Sequence, residues 1–286
     1  MITNNNIIIA NKYYIVSKIN EGAFGTIYKG LNKRTNNEVA IKIEPINNDF
    51  NNLKREAKIY QYLGKLDGFP ELRWYGSTNT VNYLVIDLLG NSLTEIINNY
   101  TKLSLKTALL CGIQIIKRIQ TLHKKQLLHR DIKPSNFLFG LKENTNKIFL
   151  CDLGFCKRYN YDGKHISNKK IKTIIGTPNF VSLNVHNLNE PSRRDDIESC
   201  IYIIITMFLG RLEWFNITNI STIYTLKRDI VLSNAIPLSI KNILKYIREL
   251  KFEDEPNYEL IMKLLMDECK SNGFENDNCF EWSRVN

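Results

Sequence analysis

Two stretches of this 286-residue chain leave it little freedom. One is His129-Arg130-Asp131-Ile132-Lys133-Pro134-Ser135-Asn136; the other is Ile148-Phe149-Leu150-Cys151-Asp152-Leu153-Gly154. A short apolar run, Leu127-Leu128 in the first case and residues 148–150 in the second, reads as a buried strand that ends in carboxylate chemistry. A carboxylate buried without a partner is costly, so Asp152 calls for a compensating cation. Asn136 and Asp152 both offer hard oxygen ligands, and a divalent ion of the magnesium type held between them supplies that reason. Asp131 has one cation at close spacing, Lys133. The pair suits a base that orients a hydroxyl while the lysine faces a departing phosphoryl group.

Upstream, residues 13–19 and 26–31 read as two strands joined through Asn20-Glu21-Gly22-Ala23-Phe24-Gly25. Glycines there let a hairpin backbone approach a phosphate closely. Residues 39–43 alternate as a strand should, with Val39, Ile41 and Ile43 on one face and Ala40 and Lys42 on the other. A small alanine beside a lysine fits a cleft that admits a flat ring and grips a phosphate. A solvent-facing lysine on an edge strand is the bland alternative, and the next segment argues against it. Residues 53–63 read as a helix with an inward stripe of Leu53, Ala57, Tyr60 and Leu63. Glu56 points along that stripe and needs a cationic partner, for which Lys42 is the candidate.

Residues 81–88 form a further strand, and Leu88-Leu89-Gly90-Asn91 breaks it at an expected boundary. Residues 105–124 predict a long amphipathic helix with apolar positions 105, 109, 116, 119 and 122 facing the core. The polar, basic run 157–172 reads as a mobile loop. Helices are expected over 194–209, 239–250 and 258–271. The longest apolar run, 200–209, is too short to span a bilayer and reads as a central buried helix.

Lys and Arg total 39 against 29 Asp and Glu, a formal charge of +10. That balance favours anionic partners without choosing among acidic peptides, nucleotides, nucleic acid or a membrane surface. The six cysteines are scattered, with no CxxC spacing, which argues for reduced thiols in an intracellular protein. The N-terminal residues lack the basic start and long apolar core of a signal peptide.

The two opening stretches resemble the catalytic loop and metal-binding segment of protein kinases, with Leu153 where most members have Phe. The hairpin resembles their glycine-rich loop, with Asn20 in place of the first glycine; Asn tolerates positive φ, so the turn survives. Further on, Gly176-Thr177-Pro178-Asn179-Phe180-Val181-Ser182-Leu183-Asn184 resembles the casein kinase 1 segment that replaces the usual Ala-Pro-Glu. Ser192-Arg193-Arg194-Asp195-Asp196-Ile197-Glu198-Ser199, Asp87-Leu88-Leu89-Gly90, Phe252-Glu253-Asp254-Glu255-Pro256-Asn257-Tyr258 and Cys279-Phe280-Glu281-Trp282 are similar to that family too. The resemblance runs from about Tyr13 to Trp282, with vaccinia-related and tau-tubulin kinases as the nearest relatives.

The resemblance implies a bilobal α+β fold in one kinase domain: a β-rich nucleotide-binding lobe, 1–88, and a mainly helical lobe, 89–286. It implies a serine/threonine kinase using ATP and Mg2+, with Lys133, rather than the alanine usual for tyrosine-directed members, marking the acceptor. Asp131 would orient the hydroxyl, Lys133 stabilise the phosphoryl group, and Thr177 brace both. Lys42, positioned by Glu56, would bind the phosphates; Asn136 and Asp152 would hold magnesium; Asp196 would tie the catalytic loop from below. The nucleotide pocket would be lined by Ile19, Asn20, Gly22, Phe24, Gly25, Ile27, Ala40, Lys42, Ile86, Asp87, Leu89, Leu138 and Cys151, with the backbone of 87–89 reaching adenine. Cys151 is a small apolar filler there, a reactive thiol being the alternative.

Acidic or phosphorylated protein substrates are expected, held by Arg130 and Lys172 at one basic pocket. At the other, Asn179 replaces the family's arginine, with Lys227 or Arg228 as its partner. A neutral amide makes no bidentate contact to phosphate, so dependence on a priming phosphate should weaken. The chain is read as a monomer without a specific nucleic acid or membrane partner, cytoplasmic or nuclear, in a host cell if its gene is viral. The rival function is a pseudokinase scaffold that binds nucleotide or a partner without turnover. A nucleic-acid-binding role rests on net charge alone.

Overall fold

The computed structural model describes residues 8–22, 25–46 and 52–284. The chain separates into two compact units. The first comprises the chain up to Gly90 together with Cys151–Gly154; the second comprises Asn91–Leu150 and everything from Phe155 onward.

The first unit is a six-stranded antiparallel sheet in the order β1-β2-β3-β4-β6-β5. Its strands are β1 (Ile8–Ile9), β2 (Tyr13–Gly22), β3 (Gly25–Asn32), β4 (Glu38–Pro45), β5 (Leu72–Ser77) and β6 (Val81–Asp87), with helix α1 (Asn52–Leu63) between β4 and β5. Period-2 alternation explains the burial. Val39 and Ile41 join Ile9, Tyr13, Tyr83 and Val85 in one core, with Ile15, Tyr28 and Ile43 packed at its edge. Helix α1 lies against β5 and β6 and buries Leu53, Glu56, Ala57, Tyr60 and Leu63.

The second unit is mainly helical: α2 (Leu93–Tyr100), α3 (Leu105–Lys124), α4 (Leu183–His186), α5 (Arg193–Leu209), α6 (Ile220–Asp229), α7 (Leu238–Glu249) and α8 (Tyr258–Ser271). Short strand pairs stand between α3 and α4: β7 (Leu127–Leu128) with β10 (Lys157–Arg158), β8 (Phe137–Phe139) with β9 (Ile148–Leu150), and β11 (Asn160–Tyr161) with β12 (Lys164–His165). Helix α5 is apolar nearly all round, the pattern of a central helix, and residues Ile201 to Ile205 are fully buried. It packs on α3 at Gly112, where an added Cβ would come within 2.6 Å of Ile204 Cδ1. Among the described residues no helix is long and apolar enough to cross a membrane.

The expected mobile loop at 157–172 is corrected. Its first part pairs as β10 with β7, and Gly163, at φ +83°, closes the β11–β12 hairpin. Tyr159 is buried and donates its hydroxyl to the His123 carbonyl at 2.8 Å, while Lys157 pairs with Glu190 at 2.7 Å. Polar composition misled because Lys157 pairs with Glu190, Arg158 donates to Gln126 and Lys170 to the Asn187 carbonyl. Helices α2 and α6 were not foreseen. Both carry cap signals: Ser92 and Glu95 form a reciprocal capping box for α2, and Asn219 accepts from Thr222 N–H to start α6.

Candidate functional site

In the first unit the chemistry gathers on one sheet face. Directly paired residues share a face, and the register aligns Asn20 with Ile27, Ile27 with Lys42, and Ala40 with Ile86. Ile19 falls at the bulge between Lys18 and Asn20 and is half exposed. Gly22 and Gly25 pair across the hairpin; Phe24 lies outside the described residues. An added Cβ on Gly25 would meet the Ile43 carbonyl oxygen at 2.2 Å, so only glycine fits that crossing. Asn20 sits in extended β2 and is not among the positive-φ residues, so the tolerance expected of it there is not used.

Lys42 Nζ donates to Glu56 Oε2 at 2.8 Å and lies 3.3 Å from Asp152 Oδ1. A third carboxylate, Glu44 Oε1, stands 3.7 Å away. Burial works against the Lys42 charge, but Glu56, Asp152 and Glu44 outweigh it and raise its pKa. Glu44 was missed in the sequence, although it stands two residues from Lys42 on the same strand face. Burial raises its pKa against the pull of Lys42, and it also accepts from Leu53 N–H in the first turn of α1. Glu56 Oε1 accepts from Leu153 N–H at 3.3 Å, which ties α1 to residues 151–154. Asp152 adopts φ +57°, a left-handed conformation that an aspartate tolerates. Burial, with the nearby Asp152 and Glu56, pushes the Cys151 thiol far above its ordinary range, which disfavours the reactive thiolate.

Asp87 accepts from Arg73 Nε at 2.7 Å and from Glu71 N–H at 2.9 Å, and its own N–H reaches the Glu71 carbonyl. Ile86 and Leu89 on either side of it are half-buried.

In the second unit, residues 129–136 hang from α5. Asp196 Oδ2 accepts from His129 N–H at 2.7 Å and its Oδ1 from Arg130 N–H at 2.9 Å. His123 bridges Asp196, at 3.0 Å, to the Tyr258 hydroxyl, at 2.8 Å. Asp131, buried, receives Lys133 Nζ on Oδ2 and Thr177 Oγ1 on Oδ1, each at 2.7 Å. Thr177 thus braces Asp131 directly. Asn136 Nδ2 donates to the Asp131 carbonyl at 2.8 Å. That bond uses the amide nitrogen, while Oδ1, which Ser135 Oγ approaches at 3.5 Å, is an oxygen of the kind a hard divalent ion takes. Gly176 is required by a close approach: at φ +102°, its Cβ would meet the Arg130 carbonyl oxygen at 2.5 Å. Leu138, half-buried in β8, pairs with Phe149 and bridges to Ser92.

The expected substrate residues fare differently. Arg130 donates from Nε to the Phe155 carbonyl at 2.8 Å, with Nη1 4.0 Å from Glu190. Lys172 is exposed, and Asn179 is half-buried with its carbonyl accepting from Trp214 Nε1 at 2.9 Å. Lys227 is corrected: it is fully buried and donates to the Pro178 carbonyl, the Val181 carbonyl and His186 Nε2 at 2.7, 2.6 and 3.0 Å. Nothing of it faces a substrate. Arg228 is spent on its neighbour Asp229. A lysine in an amphipathic helix is normally solvated, so its sequence carried no sign of this.

A family model described as the protein kinase domain matches residues 13–272.

Proposed function

The chain belongs to the protein kinase family, whose members use ATP, a divalent metal and protein substrates, and from that premise we propose an active serine/threonine kinase of the casein kinase 1 type directed to acidic substrates. The bilobal α+β fold is that of the family; residues 1–88 are assigned to the nucleotide and 89–286 to the substrate, within one monomeric domain. The observation that carries the reading is Asp131 held between Lys133 and Thr177.

In this reading Asp131 orients the acceptor hydroxyl and takes its proton, while Lys133 stabilises charge on the transferred phosphoryl group. Lys42 grips the nucleotide phosphates in the rotamer that Glu56 sets. Asn136 and Asp152 would each offer an oxygen to magnesium, which would supply charge neutralisation for the phosphates. Phosphoryl transfer asks mainly for such positioning and little covalent work. Asn20, where the glycine-rich pattern has its first glycine, lies in the extended strand β2, so the hairpin does not ask it for a positive φ.

With Asn179 neutral, Lys227 committed inside the protein and Arg228 paired with Asp229, a priming phosphate would meet weakened basic recognition there. Phosphoamino-acid analysis and a peptide panel test the whole reading. Label on serine or threonine is expected, with acidic peptides preferred and little gain from a phosphoserine three residues before the acceptor. Label on tyrosine, or a large gain from priming, would overturn it.

A further inference from the structure

A buried lysine needs a reason, because its desolvation carries a cost that a methionine of similar shape would avoid. Lys227 has three N–H donors and three acceptors at hydrogen-bond distance, two of them main-chain carbonyls of the same short segment. Burial lowers the pKa of its amine to about 7 against the pull of Glu198, while the Tyr202 and Trp214 ring centroids, 5.0 and 5.6 Å from Nζ, favour the cation. Its own carbonyl accepts from Arg248 Nη2 at 2.7 Å, and Arg248 also holds Glu198 Oε1 and the Tyr202 hydroxyl, each at 3.2 Å. The lysine is therefore anchored through α5 and α7 before it reaches its acceptors.

Those acceptors flank the residue that braces Asp131. Pro178 follows Thr177 directly, and the Thr177 carbonyl accepts from Phe180 N–H at 2.8 Å and Val181 N–H at 3.1 Å. Trp214 takes the Asn179 carbonyl. The carbonyls of 177, 178, 179 and 181 are thus all bound, and Ser182 beyond them is fixed to Asp195 at 2.6 Å. A turn clamped at this density fixes the backbone from which the Thr177 hydroxyl reaches Asp131 Oδ1.

We infer that Lys227, with Trp214, is a positioning residue that clamps segment 178–181 and so holds Thr177 on Asp131. The inference rests on the kinase reading for its kinetic consequence, and its structural half stands apart from it. It assigns the lysine to positioning within the protein rather than to anion recognition.

Full-length Lys227→Met is compared with Thr177→Ala and the double variant for kcat, KM for ATP and amide exchange at Phe180 and Val181. Faster exchange at those two amides and a kcat loss of about tenfold or more with little change in KM are expected. The double variant should be no slower than Thr177→Ala, because one route carries both losses. Losses that multiply, or exchange that does not change, would overturn the inference. Trp214→Phe, which keeps an aromatic ring but loses the N–H donor and part of the indole's volume, gives the same exchange and kinetic test if Lys227→Met does not fold. A wild-type protein without transfer refutes the kinase reading, and the clamp is then judged on exchange alone.

Discussion

Lys42 Nζ lies 2.8 Å from Glu56 Oε2, yet Glu56 is one of three carboxylates around that ammonium, with Asp152 at 3.3 Å and Glu44 at 3.7 Å. A lysine with one buried partner is left uncompensated when the partner goes, at a cost of about 3–5 kcal/mol. Here two carboxylates remain. Glu56→Gln should therefore lose less stability than that range while losing most of its transfer rate, because the remaining partners pull Lys42 elsewhere. Urea denaturation beside steady-state kinetics reads both quantities. The double variant Glu44→Gln/Glu56→Gln should lose more stability than the two single variants summed; simple additivity would show that Glu44 takes no part.

Thr177 acts on Asp131 through its hydroxyl alone. Thr177→Ala should lower kcat by roughly a hundredfold with KM for ATP nearly unchanged. Thr177→Ser, which keeps the donor, should retain most of the rate. Equal losses in both variants would assign the residue to packing instead.

Acid should weaken the fold. Burial first, then the neighbouring Lys227 charge, hold His186 down to about 4. Burial also lowers His123, against the pull of Asp196. A histidine whose folded pKa lies below its unfolded value, about 6.5, binds fewer protons when folded. Falling pH therefore favours the unfolded chain from about 6.5 down to the folded pKa, by at most about 1.4 kcal/mol per pH unit for one site. Urea midpoints at pH 7 and pH 5 should show the loss. His186→Leu should flatten it in part, since it removes the imidazole that Lys227 from α6, the Tyr224 ring and the Pro178 backbone face. A midpoint that is flat over that range would contradict the assignment.

How far the sequence carried depended on how local each relation is. Asp131, Lys133 and Asn136 share one loop, so spacing alone brought them together. The Lys42–Glu56 pair was legible because strand alternation and the helix stripe each fixed a face. Glu44 obeys the same alternation and was overlooked, although Lys42 and Glu44 are two residues apart. Lys227 was beyond such reasoning. Its burial comes from α5, α7 and the 178–181 turn meeting around it, a tertiary fact with no local periodicity. Residues 157–172 failed for a related reason, since their charges find partners such as Glu190 far along the chain.

The most direct test of the central claim is radiolabelled phosphate transfer from Mg·ATP to casein and an acidic peptide, run beside Asp131→Asn. The variant keeps one acceptor oxygen, enough for Thr177 or Lys133 but not both, and cannot take up the hydroxyl proton. Transfer onto serine or threonine by the wild type, lost in the variant, is the predicted result. Folded wild-type protein that binds ATP without transferring phosphate, or a variant as fast as wild type, would contradict it.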